Sequence, residues 1–282
     1  MRRLIVNGDD FGLTAGVNRA IMELHRAGVL TSATLMARGA AAGEAIEMAR
    51  ATPSLGVGCH VVLVDGEPVL SPDEIPALID RRTGRFQPTL GAFLRRLLTG
   101  GLRANEMEAE TAAQIALLQG RGLRLTHIDT HKHAHIFPSV LRPVLRAARA
   151  AGIRAVRNPF EPKWSRRATR GASLRRRAET SLLRLLAPAF RRIVAEEGFT
   201  TTGGALGVLA AGILDFGTLA SLLSALPEGT FELVTHPGCN DADLRRAHTR
   251  LLASREVERE ALLSFGPKNR AELVDFAQLT TD

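Results

Sequence analysis

The chain has 282 residues, of which 45% are hydrophobic, a composition typical of one large or two ordinary globular domains. No apolar run reaches the roughly 20 residues of a membrane-spanning helix, and "MRRLIVNGDD" lacks the long apolar region and cleavage signature of a signal peptide. Cys59 and Cys239 form no CxxC pair and indicate no disulfide framework. We therefore expect a cytoplasmic protein.

The net charge of +8 is concentrated in one segment. Residues 163–192 contain ten Lys or Arg and a single acid, Glu179. Such a stripe is typical of contact with phosphate, nucleic acid or an anionic membrane surface, and equally of a solvated helix face. Because Trp164 is the only aromatic residue of the segment before Phe190, base stacking is disfavoured, and we expect no nucleic-acid partner.

Short strand patterns alternate with helical patterns along the chain. The strand patterns fall at 3–7, 33–37, 55–62, 123–129, 153–157 and 231–235. The helical patterns fall at 15–29, 104–121, 138–152, 174–193, 249–263 and 269–279. The alternation predicts a mostly parallel sheet with crossover helices, and we predict a single α/β domain of barrel type. Periodicity does not distinguish it from a doubly wound open sheet, and it gives no assignment for the Gly-rich residues 200–217.

The pattern at 174–193 predicts an amphipathic helix interrupted by Pro188. Its apolar face comprises Leu174, Ala178, Leu182, Leu185, Leu186, Ala189, Phe190 and Ile193. Together with the arginines of the same segment, this face suits a helix that lies at a membrane surface. The alternative is that the leucines pack on the barrel.

Chemically active side chains follow five of the predicted strands. They are Asp9 and Asp10, His60, the group at 127–135, Arg157 and His236. In parallel α/β folds the carboxyl ends of the strands line one rim, where active sites lie. We therefore expect these side chains to form one site.

The segment "HIDTHKHAH" at 127–135 is the densest part of this group. It places His127, Asp129, His131, His133 and His135 at every second position. In an extended segment these side chains would share one face. A lone histidine at a strand end often only caps a loop, but clustered imidazoles with an acid are typical of a metal site. Three protein ligands would bind the ion, and the other residues would orient ligands or substrate.

The adjacent acids Asp9 and Asp10 can have different roles at such a site. One carboxylate would bind a cation and the other would act as base for a water. The alternative is that one acid caps the helix at 15–29, although Thr14 can serve there. Neighbouring strand residues point to opposite faces, so we assign His60 to the site and Cys59 to the core.

Two further residues complete the predicted site. His236, in "THPG", can donate a proton to a leaving group, whereas Asp241 and Asp243 nearby are assigned to loop solvation. Arg157 can clamp a carboxylate of the substrate or orient an acid, or it is a surface arginine beside a turn. A two-metal phosphoesterase is disfavoured because too few spare carboxylates lie on the rim.

Four motifs follow one another along nearly the whole chain, "LIVNGDDFGL", "SLGVGCHVVL", "LTHIDTHKHAHIFP" and "THPG". In this order they resemble the YdjC-like carbohydrate deacetylase family, which includes diacetylchitobiose deacetylases. It implies a distorted (β/α) barrel. It also implies one divalent metal ion, for which two histidines and a carboxylate suit zinc without excluding magnesium, manganese or cobalt.

The resemblance assigns residues by their positions in these motifs. It implies Asp10, His60 and His131 as metal ligands. It implies Asp9 as the general base and His236 as the general acid. His127, Asp129, His133 and His135 match family positions without individual roles, and Gly8 and Lys132 depart from the family pattern.

Three further segments are "LVDGEPVLSPDEIPALID", "GRF" and "AVRNPFEP". They are similar to the hopanoid-biosynthesis-associated branch of the family. This similarity implies removal of the acetyl group from an N-acetylglucosaminyl hopanoid glycolipid, with peripheral membrane contact through 163–194. Soluble chitooligosaccharides are the alternative substrates. The oligomeric state stays open, and a homo-oligomer is compatible with the sequence.

Overall fold

A curled parallel sheet forms the centre of the protein, whose computed structural model describes residues 1–247, 249–265 and 271–279. The strands are β1 (Arg2–Phe11), β2 (Ser32–Leu35), β3 (Gly56–Val61), β4 (Ile79–Asp80), β5 (Arg85–Phe86), β6 (Leu125–Thr130), β7 (Ala205–Leu206), β8 (Gly229–Thr235) and β9 (Glu272–Leu273). Within the described residues the sheet has seven strands, in the order β6-β3-β2-β1-β8-β7, with β9 beside β1. The strands β4 and β5 form a separate antiparallel pair.

Isolated bridges continue the sheet toward closure. Ile128 pairs with Val156, and Ala155 pairs with Thr200, both in parallel orientation. The segment after Thr200 then reaches β8, because the Gly203 N–H donates to Thr230. The fold is a distorted (β/α) barrel formed by one domain, which confirms the barrel over the open sheet. The predicted strand at 153–157 was wrong in extent, since only these bridges form there.

Helices surround the sheet on its outer side. They are α1 (Ala15–Arg26), α2 (Ala42–Arg50), α3 (Leu90–Leu98), α4 (Ala104–Gly120), α5 (Pro138–Ala150), α6 (Lys163–Ala168), α7 (Leu174–Leu183), α8 (Ala187–Glu196), α9 (Phe216–Ser224), α10 (Ala242–Arg246) and α11 (Ala253–Phe265). None of the helices in the described part of the chain is long and apolar enough to cross a membrane.

Local sequence signals set the ends of two predicted helices. The Thr14 hydroxyl accepts the Val17 N–H at 3.2 Å and caps α1, as predicted, so neither acid of the pair is needed there. Pro138 begins α5, where a missing N–H is tolerated. The chain leaves α5 through Gly152 at φ +82°, a conformation that favours glycine.

One helical prediction was right in part and another was wrong. The pattern at 174–193 is interrupted, as predicted, but by a 3₁₀ turn at 184–186 that separates two helices, and Pro188 lies in the first turn of α8. The predicted helix at 269–279 is absent from 271–279, which hold β9 and a short 3₁₀ turn, and its first two residues lie outside the described chain. Residues 200–217 contain β7, a loop and the start of α9.

The two faces of the sheet differ in what they bury. The outer face packs against the helices in a large apolar core that includes Cys59, which was assigned to the core. The inner face carries a small apolar cluster of Ile5, Ala155, Val274 and Phe276. Because side chains alternate along a strand, the inner positions above this cluster are left for polar groups.

Candidate active site

A bulge at the end of β1 brings both acids into one place. Strand alternation alone would point Asp9 and Asp10 to opposite faces. The register against β2 shifts between Gly8 and Phe11, and Asp10 adopts φ +64°. This left-handed conformation costs a non-glycine residue about 1–3 kcal/mol and is concentrated at functional sites.

Three donor atoms from three strand ends converge beside the bulge. Asp10 Oδ1 lies 3.5 Å from His60 Nε2 and 3.4 Å from His131 Nδ1, and the two histidine nitrogens lie 3.2 Å apart. A tetrahedral zinc with bonds of about 2.0–2.1 Å holds its ligands about 3.3–3.4 Å apart. The spacing of these three atoms therefore fits one small divalent cation.

A second group of donors overlaps the first. Asp9, His60 and Asp129 also lie close enough to share an ion. The carboxylates of Asp9 and Asp129, however, both accept hydrogen bonds from Arg157. Asp10 makes no bond to Arg157 and keeps Oδ1 toward the two histidines, so the first group is the better cation site.

Arg157 is fully buried in the barrel and binds three carboxylates. Its Nη2 and Nη1 donate to Asp9 Oδ1 and Oδ2 at 2.6 and 2.8 Å. Its Nε donates to Glu232 Oε1 at 2.8 Å, and Nη1 also donates to Asp129 Oδ2. Burial opposes the charged guanidinium, but these acids outweigh it and hold the pKa of Arg157 above its usual value. Arg157 therefore orients the acids around it. The alternative, that it is a surface arginine beside a turn, was wrong.

The two carboxylate oxygens of Asp9 differ in how many further hydrogen bonds they can accept. Oδ1 accepts from Arg157, from Asn7 Nδ2 at 2.8 Å and from the Thr34 hydroxyl at 3.1 Å. Oδ2 accepts from Arg157 and faces His236 Nε2 at 3.8 Å. Burial would raise the pKa of Asp9, but Arg157 holds it well below the usual range. Asp9 is therefore ionised, with Oδ2 as its available oxygen.

Asp129 fixes the ring of His60. Its Oδ1 lies 2.8 Å from His60 Nδ1, which leaves Nε2 directed at Asp10. Burial disfavours the charged imidazole, yet the Asp129 carboxylate outweighs it and raises the pKa of His60 to about 9. A carboxylate behind a histidine in this way is the usual support of a histidine ligand.

His236 lies on the other side of Asp9. It follows β8, and its main-chain N–H donates to Glu258 Oε2 at 2.6 Å. Its ring is mostly buried, with Nε2 toward Asp9 and Nδ1 4.0 Å from Glu258. A histidine beside an ionised acid and next to a candidate cation site can give or take a proton.

The helix α11 supplies a residue that the sequence analysis missed. Arg255 Nη2 donates to Asp10 Oδ2 at 2.5 Å, so one oxygen of Asp10 is held while the other faces the histidines. Burial would raise the pKa of Asp10, but Arg255 and the neighbouring histidines hold it well below its usual value. Arg255 and Glu258 lie three apart on the buried face of α11, and this interleaving of charge with apolar residues was the available signal.

Glu232 was also missed. It is a fully buried acid in the middle of the apolar pattern of β8. Burial raises the pKa of Glu232 to about 7 against the opposing effect of Arg157. An acid inside an otherwise apolar strand pattern was the signal, because such a group needs a buried partner.

The predicted extended face at 127–135 was wrong beyond the end of β6. Only His127 and Asp129 lie in the strand, and a 3₁₀ turn follows at 131–136. Lys132 and His133 adopt φ +55° and +53°, which turns His131 alone into the donor cluster. The exposed Lys132 pairs with Asp65.

The remaining histidines have structural surroundings. His127 stacks on Phe276 with ring centroids 3.7 Å apart, and burial lowers its pKa to about 3. His135 Nε2 lies 3.2 Å from the Arg157 carbonyl and Nδ1 2.7 Å from the Thr130 hydroxyl, and burial lowers its pKa to about 4. Burial also lowers the pKa of His133 to about 3. These three are neutral, and none belongs to the cation cluster.

Comparison with known proteins identifies relatives over nearly the whole chain. Residues 3–270 match the sequence model of the family described as YdjC-like protein. A carbohydrate deacetylase of Thermoanaerobacter pseudethanolicus is 28% identical over 262 residues, which cover 93% of this chain and 91% of the relative. The matched region therefore includes every strand that contributes to the site.

Two other relatives have a higher sequence identity, but over a shorter part of the chain. A carbohydrate deacetylase of Brevibacillus brevis is 42% identical over 146 residues, and a chitooligosaccharide deacetylase of Salmonella schwarzengrund is 40% identical over 154 residues. These matches span 55% and 58% of the relatives, so the chain aligns with little more than half their length. A solved structure from Enterococcus faecalis, described as a candidate cellobiose-phosphate cleavage protein, has a TM-score of 0.75, 27% identity and 99% coverage of both chains.

Proposed function

This chain belongs to the YdjC-like protein family, and we propose that it is a metal-dependent hydrolase that removes the N-acetyl group of an N-acetylated carbohydrate. The convergence of Asp10, His60 and His131 within 3.5 Å, beside Asp9 and His236, carries the proposal. The deacetylase names of the relatives support the reaction class.

The surroundings of the site favour a cation. Five buried acids face two buried guanidinium groups, those of Arg157 and Arg255. The acids are Asp9, Asp10, Asp129, Glu232 and Glu258. With Glu232 protonated and His60 charged, the four other acids still outnumber the three cationic groups by one while Glu258 is ionised, and burying that charge unpaired would be costly.

Asp10, His60 and His131 would hold the ion, and two imidazoles with one carboxylate suit zinc, while magnesium, manganese or cobalt are compatible. A divalent cation bound there would polarise the acetyl carbonyl as a Lewis acid and increase the acidity of the attacking water.

Asp9 is the proposed general base. Arg157, Asn7 and Thr34 fix its carboxylate, and only Oδ2 retains free accepting capacity toward the site. Because its pKa is low, Asp9 stays ionised at every physiological pH but is a weak base. It therefore needs an acidified water, whose oxygen adds to the acetyl carbon as the proton passes to Oδ2.

His236 is the proposed general acid. An amine leaves an amide only after its nitrogen gains a proton. Protonation of that nitrogen by His236 Nε2 lets the C–N bond break, which gives acetate and a free amino sugar. His236 Nε2 lies 3.8 Å from Asp9 Oδ2, so the proposed acid and the proposed base are neighbours.

Other site residues position these groups. Asp129 orients His60, and Arg157 orients Asp9 and Asp129. His135 contacts the Arg157 carbonyl, and His127 packs against Phe276 inside the barrel. We assign neither histidine, nor His133, a direct part in the reaction.

For the substrate we propose an N-acetylglucosaminyl hopanoid glycolipid, reached by peripheral contact with the inner face of the membrane. Support comes from the first part of the expected segment 163–194, residues 163–186, which follows Arg157 along the chain. Leu174, Leu182 and Leu185 are 86%, 68% and 74% exposed there, contrary to the alternative that the leucines pack on the barrel, whereas Leu186 does pack against the core. Apolar side chains beside basic ones suit an anionic lipid surface.

The arginines of this segment do not all face solvent. Arg176 donates to the Ala211 and Val208 carbonyls, and Arg177 donates to main-chain carbonyls that include Thr169. Only Arg175 of the three is exposed, and it pairs with Glu179. A membrane test must therefore alter the leucines, since replacing Arg176 and Arg177 would also disrupt the segment.

Soluble chitooligosaccharides such as diacetylchitobiose are the second candidate, favoured by the name of the Salmonella relative. The test is acetate release from N-acetylglucosaminyl hopanoid in mixed micelles and from diacetylchitobiose. Each is measured before chelation, after EDTA, and after zinc is restored. Chelator-sensitive release from the lipid supports the full proposal, and release from the sugar alone assigns the second substrate. No release from either by zinc-loaded protein would refute the deacetylase.

A further inference from the structure

We infer that Glu258 is a positioning residue for the proton donor His236, an inference that rests on the proposed function. Glu258 is 1% exposed and lies on α11, outside the strands that supply the other site residues. The proposed reaction gives it no direct part. It is nevertheless the carboxylate that faces the side of His236 away from Asp9.

The Glu258 carboxylate is itself held from two directions. Oε2 accepts the His236 N–H at 2.6 Å, and Oε1 accepts the Gly212 N–H at 3.3 Å. Gly212 adopts φ +87°, and a Cβ there would lie 3.0 Å from Leu251, so this loop position suits glycine. Glu258 thus joins the turn after β8 to the loop after β7.

The ring of His236 gives the carboxylate its second contact. Nδ1 is buried, has no hydrogen-bond partner among the described residues, and lies 4.0 Å from Glu258 Oε2. A carboxylate on that side can pair with an N–H at Nδ1 and keep Nε2 directed toward Asp9. The doubly protonated ring is the form that can give its Nε2 proton to a leaving nitrogen and keep the one on Nδ1.

The helix α11 therefore supports both sides of the site. Arg255 holds one oxygen of Asp10, and Glu258, one turn later, holds His236. A substitution at Glu258 should affect the proton donor and leave the cation ligands in place.

Leaving groups that differ in their need for a proton test this inference. The amine of an N-acetyl sugar needs protonation, whereas the phenolate of 4-nitrophenyl acetate leaves without it. In E258Q we expect kcat for diacetylchitobiose or the glycolipid to fall about 100-fold while ester hydrolysis stays within about threefold. His236→Ala should show the same split. E258D, which keeps the charge, should recover part of the amide activity, and exposed Glu256→Gln on the same helix is the matched control.

Parallel loss of amide and ester hydrolysis in E258Q would indicate a merely structural role and overturn the inference, as would loss of neither. The ¹⁵N signals of the His236 ring and main-chain amide give a readout independent of turnover. They should shift in E258Q and stay constant in Glu256→Gln, and unchanged signals in E258Q would also overturn the inference. A wild-type protein that hydrolyses the ester but no amide would instead refute the proposed function.

Discussion

The barrel interior has an upper layer at the carboxyl ends of the strands and a lower layer around Phe276, and the histidines of the two layers differ in their pKa. His60 on β3 and His127 on β6 both point inward, and both are buried. In the upper layer Asp129 overcomes the effect of burial and raises the pKa of His60 to about 9. In the lower layer His127 stacks on Phe276, and burial lowers its pKa to about 3. The two buried histidines therefore differ in charge because of the groups that each contacts at its height along the strand.

Removing one histidine from each layer gives the largest expected contrast. His60→Ala should lose the bound metal and lower kcat by on the order of 10³-fold, because the cation supplies several kcal/mol of transition-state stabilisation. His127→Phe should retain one metal equivalent and near-wild-type kcat. Metal analysis and acetate release measure both. Equal losses in the two variants would remove the distinction between the layers.

The charge balance of the upper layer predicts a large effect on stability. Arg157→Met leaves Asp9, Asp129 and Glu232 buried without their shared cation. We expect the free energy of unfolding to fall by about 3–5 kcal/mol, as when one partner of a buried ion pair is removed. Urea denaturation checks this, with the exposed Arg82→Met as control. A loss below about 1 kcal/mol would show that the ion pairs of Arg157 with these three carboxylates are not needed for folding.

The lower layer predicts a pH effect of defined sign. The folded-state pKa of His127, about 3, lies below the unfolded value of about 6.5, so the unfolded state binds its proton first. Its contribution to stability is complete above pH 6.5 and is lost as pH falls toward 3. Relative to His127→Phe, the wild type should therefore lose about 2 kcal/mol between pH 7.5 and pH 5. Urea titrations at both pH values measure this, and a pH-independent difference would contradict the assigned burial effect.

The exposed leucines predict the smallest effect on the fold. Replacing Leu174, Leu182 and Leu185 together by Ser should change the free energy of unfolding by no more than about 0.5 kcal/mol, because exposed side chains contribute little. Binding to anionic vesicles should be lost, whereas activity on a soluble substrate should persist. Flotation with vesicles provides the measurement. Unchanged vesicle binding would remove this surface from the proposal.

Sequence patterns predicted the fold well where local backbone preferences alone determine the structure. Alternation of strands and helices predicted the parallel sheet with crossover helices without separating a barrel from an open sheet, and Thr14 and Pro138 marked helix starts. At 174–193 the helix breaks at 184–186, before Pro188, because hydrophobic periodicity shows neither where a helix ends nor which of its apolar side chains the core covers. The segment 153–157 contributes only isolated bridges, since closure of a distorted barrel depends on distant chain segments.

The strand-end residues predicted most of the candidate site, and the structure brings Asp10, His60 and His131 together. The sequence could not show that a bulge at Asp10 directs both acids inward, because alternation predicts the opposite. It also could not show that Lys132 and His133 reverse the chain after β6. The supporting charges of Glu232, Arg255 and Glu258 come from elements whose amphipathic pattern does not reveal their partners.

The central claim is that the two adjacent acids have different tasks, which Asp9→Asn and Asp10→Asn can separate. Metal content and acetate release from the preferred substrate are measured on the same preparations. Asp9→Asn should retain one metal equivalent while its kcat falls by about 10²–10⁴-fold, the contribution of a general base. Asp10→Asn should lose both the metal and the activity. Full activity in Asp9→Asn, or wild-type metal affinity in Asp10→Asn, would contradict the account.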